Sequence, residues 1–149
     1  MNELPTKTKS THYSRAKRVT CLLLQVAHLV EKRLEEALDK VELSGPKFGA
    51  LSKLMEADEP LTLSELAEQM TCVRSNITQL VDRLEADGLV RREDDPNDRR
   101  GVRASITPLG RERYTAGLQR IEEVQEASMG KALSELDGEA LQRVLEALK

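Results

Sequence analysis

The chain has 149 residues, of which 2% are aromatic and none is tryptophan, so it is long enough for one domain with an aliphatic core. Its two cysteines are too few for a disulfide framework. No apolar run reaches the roughly 18 residues of a membrane span, and the short run at residues 22–24 has no signal-peptide cleavage site after it. We therefore expect a cytoplasmic protein without a membrane partner.

A long helix is predicted over residues 11–41. Its apolar residues recur every three or four positions, as on one face of a helix. At about 1.5 Å per residue this helix spans more than about 40 Å. One interpretation is a single long core helix; we favour packing of part of it against a second subunit. The apolar residues are Val19, Leu22, Leu23, Val26, Leu29, Val30, Leu34, Leu38 and Val41.

Two short helices follow in the middle of the chain, after a capped helix that begins near Ser44. Thr62 is a good N-cap and Glu65 stands three residues later, which predicts a capping box. The second of the two helices carries Ile77 and Leu84 on its apolar face and ends at Gly88, a residue suited to the left-handed position after a helix. Two short helices joined by a tight turn are typical of a helix-turn-helix.

A β-hairpin is predicted next. Residues 89–92 favour a strand, residues 94–98 are rich in turn formers, and Val102, Ala104 and Ile106 alternate with polar residues as in a half-buried strand. The tip carries Arg99 and Arg100, with Arg103 further along the returning strand, which indicates a charged wing that touches DNA phosphates or the minor groove. Mainly α structure with a small β-hairpin wing is the predicted fold class.

Two further helices are predicted after the hairpin. Thr107 is a plausible cap, with proline at the first helical position, for a helix over residues 108–129. Gly130 is predicted to break that helix, with continuation of the helix through residues 131–133 as the alternative. Asp137 is a candidate cap for the last helix, whose apolar face carries Leu141, Val144, Leu145 and Leu148. Apolar stripes at both ends of the chain are consistent with an oligomer.

Residues 64–110 resemble the DNA-binding lobe of the multiple antibiotic resistance regulator (MarR) family of bacterial transcription factors. The resemblance rests on Leu-Ala-Glu-Gln-Met (66–70), Ile-Thr-Gln-Leu-Val-Asp-Arg-Leu-Glu (77–85), Gly-Leu-Val-Arg-Arg (88–92), Asp-Pro-Asn-Asp-Arg-Arg-Gly-Val (95–102) and Ile-Thr-Pro-Leu-Gly (106–110), in that order. It implies one domain over residues 1–149. A winged helix-turn-helix lobe at about residues 46–107 would lie between dimerisation helices at about residues 11–45 and 108–149.

The resemblance also implies a function. We expect a homodimeric repressor that binds double-stranded DNA at a palindromic operator, with half-sites about 10 bp apart, and responds to a small-molecule effector that the sequence does not identify. The net charge of −3 argues against DNA as a partner, but basic residues cluster near the N-terminus and arginines recur between Arg74 and Arg113. We expect no cofactor and no enzyme activity, because the sequence contains no nucleophile elbow or phosphate loop.

The second helix of a helix-turn-helix enters the major groove, where Arg, Asn and Gln pair with base edges. The predicted base-reading residues are Arg74, Ser75, Asn76, Thr78 and Gln79. Their alternative role is an ordinary solvated helix face. Arg83 is predicted to bind phosphate or an intramolecular partner. Because Val73 stands where many family members have a capping residue, Thr71 is an alternative start for this helix, and the role of Cys72 stays open.

At the wing, the family pattern places an aspartate two residues before an arginine that enters the minor groove. Asp98 and Arg100 match those positions. The resemblance therefore implies that Asp98 orients Arg100, while Arg99 reaches a phosphate. A narrow minor groove attracts arginine because its negative potential is concentrated. The alternative is a solvated charged turn.

Two other functions stay open from the sequence. Oxidant-sensing family members carry a cysteine near the start of the first helix, which Cys21 matches, but Glu35 and Gly45 occupy the positions of their tyrosines. We expect a buried, inert Cys21 thiol among residues 22–24. A winged helix can also serve protein assembly, although the wing arginines favour DNA. Two histidines and two scattered cysteines predict no metal site.

Overall fold

The computed structural model describes residues 8–70 and 74–149, with side chains described for residues 14–70 and 76–149. The helices are α1 (Thr8–Asp39), α2 (Gly45–Glu56), α3 (Leu63–Gln69), α4 (Arg74–Ala86), α5 (Pro108–Val124), α6 (Gly130–Ser134) and α7 (Gly138–Ala147). The strands are β1 (Leu61–Thr62), β2 (Val90–Asp94) and β3 (Val102–Ile106). The predicted fold class, mainly helical with a small β wing, is confirmed.

The chain divides into two units, residues 1–33 and residues 34–149. In the first unit, residues 14–29 of α1 are all exposed, because one helix cannot bury its own side chains. Cys21 is exposed with them. The prediction that Cys21 is buried among residues 22–24 is therefore wrong for the single chain, since the neighbouring leucines are themselves exposed: Leu22 by 49%, Leu23 by 43% and Leu24 by 67%.

The second unit has a closed aliphatic core built by α2, α3, α4 and the sheet. Its largest side chains with less than 2% exposure are Leu51, Leu66, Ile77, Val81, Leu84 and Leu89. The ends of α3 and α4 are fixed by interactions between residues close in sequence. The Thr62 hydroxyl accepts from the Glu65 backbone N–H and the Glu65 carboxylate accepts from the Thr62 N–H, so the predicted capping box is confirmed. Gly88 has φ +72°, the left-handed conformation predicted after α4.

The sheet has three antiparallel strands in the order β1-β3-β2. In the hairpin, Val90 pairs with Ile106 and Asp94 with Val102, and Ala104 is fully buried. The sequence predicted the two hairpin strands but not β1, in which Leu61 pairs with Ala104. A strand of two residues is too short to have a period of its own, so only its pairing with β3 defines it.

The helices after the wing follow the predicted caps, but the break lies earlier than predicted. Thr107 caps α5 and Asp137 caps α7, as predicted. The helix predicted over residues 108–129 is α-helical only to Val124, where a π-helical turn (Gln125–Met129) follows, and Gly130 begins α6 instead of ending a helix. A π turn rotates the residues after it relative to an α-helix, and Met129 in this turn is buried.

One close approach and one exposed apolar surface complete the second unit. A Cβ on Gly110 would lie 2.1 Å from the carbonyl oxygen of Leu89, so only glycine allows this contact between α5 and the start of β2. The apolar face of α7 is exposed, from 41% at Leu141 to 51% at Leu145, and the C-cap residue Leu148 is 81% exposed. Within residues 8–70 and 74–149 we find no helix that has both the length and the apolar character needed to cross a membrane.

Candidate nucleic-acid interface

The helix α4 has one buried face and one exposed polar face. Ile77, Leu80, Val81 and Leu84 face the core. Among the predicted base-reading residues, Asn76, Thr78 and Gln79 are exposed. Arg74 and Ser75 lie in the first turn of α4, with side chains outside the part that the structure describes. The alternative helix start at Thr71, and Cys72, also lie outside the described residues.

The wing loop, residues 95–101 between β2 and β3, is closed by its own hydrogen bonds. The Asp95 carboxylate accepts from the Asn97 backbone N–H at 3.0 Å and from Arg103 Nε at 3.0 Å. The Asp98 carboxylate accepts from the Arg100 backbone N–H at 2.9 Å, and the Gly101 N–H donates to the Asp98 carbonyl. Asp98 thus holds the backbone of Arg100, and the Arg100 side chain is exposed.

The arginines of this region fall into two groups. Arg91, Arg92 and Arg103 each form an ion pair with a carboxylate of the lobe. Among residues 8–70 and 74–149, by contrast, no carboxylate pairs with the exposed side chains of Arg83, Arg99 or Arg100. Unpaired exposed guanidinium groups are the natural partners of phosphate oxygens and of a narrow minor groove. The second group contains Arg99 and Arg100, which the sequence proposed for DNA contact, and Arg83, which it proposed for phosphate or an intramolecular partner.

A cleft of about 370 Å³ lies between the start of α3, α4 and the wing loop. It brings together Thr78 of the predicted reading helix with Asp98 and Arg100 of the predicted wing site. The polar face of α4 and the wing therefore border one continuous surface. The other residues lining the cleft are Thr62, Leu63, Ser64, Asp95, Gly101 and Val102.

Sequence reasoning missed the partners of two wing arginines. Arg103, predicted as part of a charged hairpin, has a side chain only 18% exposed and pairs with Asp95, which is 8% exposed. Arg92 lies between β2 and α4, and the hydrogen bond to Asp82 raises its pKa above the ordinary value. A signal for Arg92 was available: Val90 and Arg92 lie on the same face of a strand whose apolar residues point inward.

The described residues offer no metal site. Across residues 8–70 and 74–149 there is no cluster of three or more His, Cys, Asp or Glu side chains that could hold a metal ion. The chemistry of the surface is that of a polar helix face and exposed guanidinium groups. A helix pair followed by a β-hairpin, with this surface between helix and hairpin, defines a winged helix-turn-helix DNA-binding lobe.

Comparison with known proteins identifies the family. A sequence profile of the MarR family matches residues 43–102. The HTH-type transcriptional repressor IacR of Pseudomonas putida is 32% identical over 123 residues, which cover 78% of this chain and 69% of IacR. The uncharacterized HTH-type transcriptional regulator YsmB of Bacillus subtilis is 34% identical over 88 residues, which cover 59% of this chain and 60% of YsmB.

A solved structure agrees with these relatives. Sco3205, a MarR family transcriptional regulator from Streptomyces coelicolor whose structure was determined in complex with DNA, superposes with a TM-score of 0.75 at 30% identity. The match covers 89% of this chain and 85% of Sco3205. The chain belongs to the MarR family and is a winged-helix DNA-binding transcriptional regulator.

Proposed function

We propose that the protein is a repressor that binds a palindromic operator as a homodimer in the cytoplasm and releases it when a small-molecule effector binds. One observation carries the proposal for DNA. The exposed face of α4 and the unpaired Arg100 side chain border the same cleft, so a duplex can meet both at once. The relative IacR is named a repressor, which supports repression rather than activation.

Each predicted site residue has a role in this proposal. The N-terminal part of α4 reads base edges in the major groove. Arg100 enters the minor groove, with its backbone held by Asp98, and Arg83 and Arg99 contact phosphates. The proposed base-reading residues are Arg74, Ser75, Asn76, Thr78 and Gln79.

The exposed apolar side chains support the homodimer. Clusters of large exposed apolar residues on soluble proteins usually mark an interaction surface. Here they occur along α1 and again along α7, where Leu145 is 51% exposed. A two-fold dimer presents two α4 helices to successive major grooves, which requires a palindromic site with half-sites about 10 bp apart. An effector that binds one spacing of these helices more tightly than another would shift the protein away from its DNA-binding state.

The test is in-vitro selection of duplexes from a random library, followed by anisotropy titrations of the selected duplex at several salt concentrations. We expect a site with two-fold symmetry and a Kd in the range of about 10⁻⁸ to 10⁻¹¹ M. Arg100→Ala should weaken binding and reduce the slope of log K against log salt by about 1 for each subunit, or about 2 for the dimer. Arg120→Ala, which removes an exposed arginine of α5 that pairs with Glu123, is the matched control.

Three results would contradict parts of the proposal. Selection that yields no preferred sequence from effector-free protein refolded from denaturant would favour the assembly-module interpretation. A preferred site without symmetry, or a monomer in sedimentation experiments, would contradict the homodimer. Increased transcription from a promoter that carries the selected site, in the presence of the protein, would make it an activator.

Oxidant sensing through Cys21 is the second candidate, because the structure exposes this thiol. Exposure is one requirement of a redox-active cysteine. The test is the rate at which iodoacetamide alkylates Cys21 at neutral pH. The measurement uses the Cys72→Ser variant, so that Cys21 is the only cysteine that can react. A rate similar to that of a free thiol peptide, or faster, together with loss of DNA binding after peroxide treatment, would support this candidate. A protected thiol in the assembled protein would exclude it.

A further inference from the structure

Arg92 connects the two parts of the proposed DNA-binding surface. It lies in β2, the strand that leads into the wing loop, and its guanidinium group reaches α4. Nη2 donates to Asp82 Oδ1 at 2.5 Å and to the Thr78 carbonyl oxygen at 3.5 Å, and Nη1 donates to Glu85 Oε2 at 2.9 Å. The other Glu85 oxygen accepts from the Arg92 backbone N–H at 3.3 Å. One residue of the wing thus binds two successive turns of α4.

The geometry of these bonds is suited to fixing α4 in place. The acceptors at positions 78, 82 and 85 are spread over about 10 Å of helix axis at about 1.5 Å per residue. Packing of the apolar face of α4 sets the distance of the helix from the core, but close-packed aliphatic side chains have no directional bonds. The planar guanidinium fork does have them, so it resists sliding and rotation of α4 relative to β2.

The burial and charge of the cluster separate Arg92 from the arginines proposed to meet DNA. The Arg92 side chain is 27% exposed, and Asp82 and Glu85 are 56% and 41% exposed. Two carboxylates already accept from this guanidinium, whereas Arg83, Arg99 and Arg100 are exposed and have no such partner within the part of the chain that the structure describes. Arg92 is therefore placed to organise the surface rather than to donate its charge to a phosphate.

We propose that Arg92 is a positioning residue that joins α4 and the wing into one rigid DNA-binding unit, so that base contacts by α4 and minor-groove contact by Arg100 occur together. This inference rests on the proposed function. It assigns to the Arg92–Asp82–Glu85 cluster a role in sequence discrimination without any direct contact between Arg92 and DNA. The cluster carries one positive and two negative formal charges.

The test compares Arg92→Met with Arg91→Met. Arg91 is the adjacent residue of β2, is 72% exposed and pairs with Glu93, so both variants lose one positive charge from one strand. Affinity is measured by anisotropy for the selected operator and for a scrambled duplex. Arg92→Met should weaken operator binding by about 5- to 150-fold, the effect of losing one bidentate base contact, and scrambled binding by less than about 2-fold. Arg91→Met should change the operator-to-scrambled ratio by less than about 2-fold.

Salt dependence distinguishes positioning from phosphate contact. Loss of a phosphate-contacting arginine lowers the affinity for both duplexes equally and reduces the slope of log K against log salt by about 0.9 for each subunit, or about 1.8 for the dimer. Arg92→Met should leave the slope for the scrambled duplex unchanged. Arg92→Lys should restore part of the operator affinity, because one ammonium group can bind either carboxylate but cannot span both in a fixed fork.

Asp82→Asn provides a second variant in case Arg92→Met does not fold. It removes a negative charge from a DNA-binding lobe, which by simple electrostatics strengthens DNA binding. Positioning through Arg92 predicts the opposite sign for the operator, a loss of about 3-fold or more, with unchanged or tighter binding to scrambled DNA. Tighter binding of Asp82→Asn to both duplexes, or an unchanged operator-to-scrambled ratio in Arg92→Met, would overturn the inference.

A readout without DNA keeps this inference separate from the proposed function. Amide hydrogen exchange at residues 78–86 and 90–94 should accelerate in Arg92→Met by about 5-fold or more relative to wild type, with little change in α2. If the wild-type protein showed no sequence preference, only the proposed function would be contradicted. The exchange data would still test whether Arg92 holds α4 and β2 together. Equal exchange rates in Arg92→Met and Arg91→Met would overturn the inference even if the protein binds an operator.

Discussion

The winged lobe and the terminal helices use the same aliphatic residues in different ways. In the lobe, Leu51, Leu66 and Leu84 are completely buried. Leu145 of α7 and Leu148 at its C-cap are 51% and 81% exposed, and residues 14–29 of α1 are all exposed. The lobe buries these side chains within one chain, whereas we propose that the apolar faces of the terminal helices are buried against a second subunit. Folding of the lobe and assembly of the protein should therefore respond to different substitutions.

The largest effect is expected from a core truncation in the lobe. Leu84→Ala removes a side chain with 0% exposure from α4 and leaves a cavity, which should lower the free energy of unfolding by about 2–5 kcal/mol. Urea unfolding at several protein concentrations measures this loss, which should be equal at all of them. A loss below about 1 kcal/mol would mean that α4 is not closely packed against the core.

A charge on the apolar face of α7 should affect assembly instead. Leu145→Glu places a carboxylate on the surface that we propose to be buried in the dimer. The cost should be at least the roughly 1–3 kcal/mol of burying an uncharged polar group, equivalent to a dimer dissociation constant at least about 5- to 150-fold higher. Sedimentation equilibrium measures that constant. Gln142→Glu adds the same charge where the side chain faces Glu146, and it should have little effect. Equal behaviour of the two variants would contradict a dimer interface on this face.

The two confirmed helix caps allow a finer comparison. Thr62 caps α3 in the lobe and Asp137 caps α7, and each side chain accepts a backbone N–H at 3.1 Å. Thr62→Ala should lower the stability of the lobe by about 1 kcal/mol. Asp137→Ala should fray α7, so that it weakens dimerisation more than it lowers the stability of the lobe. Thermal melting measures the stability and sedimentation measures the dimerisation of both variants. If Asp137→Ala lowered the stability of the lobe more than it weakened dimerisation, the proposed difference between the two regions would be wrong.

The smallest expected effect is a pH dependence of the α3 cap. The hydrogen bonds from the backbone and side chain of Thr62 lower the pKa of Glu65 below its ordinary value. The carboxylate therefore stabilises the folded state above the unfolded-state pKa, and this stabilisation is lost as pH falls through the lower folded-state pKa. The stability advantage of wild type over Glu65→Gln should shrink between about pH 5 and about pH 3.

Thermal melting at stepwise pH measures that advantage. Glu68→Gln, on the same helix but outside the capping box, controls for the loss of one negative charge. An advantage that stays constant or grows toward acid pH would mean that the Glu65 carboxylate does not stabilise the cap.

The sequence by itself determined the helix order, the caps at Thr62, Thr107 and Asp137, and the left-handed Gly88. These features depend on interactions between residues a few positions apart, so the identity of neighbouring residues is sufficient to predict them. The same holds for the hairpin, whose period of two is visible over residues 102–106. The polar face of α4 and the Asp98–Arg100 pair were also proposed from sequence, and their contact with DNA remains a prediction.

Only the tertiary structure decided which groups meet across elements. Strand alternation places Arg92 on the inward face of β2, but the sequence identifies no partner for Arg92 or Arg103. Both pair with carboxylates of the lobe, because the packing of β2 against α4 and the closure of the wing loop bring acids to them. The strand β1, the π-helical turn and the exposure of Cys21 were likewise not evident. All three depend on which parts of the protein pack against these residues, and those parts are distant in the sequence.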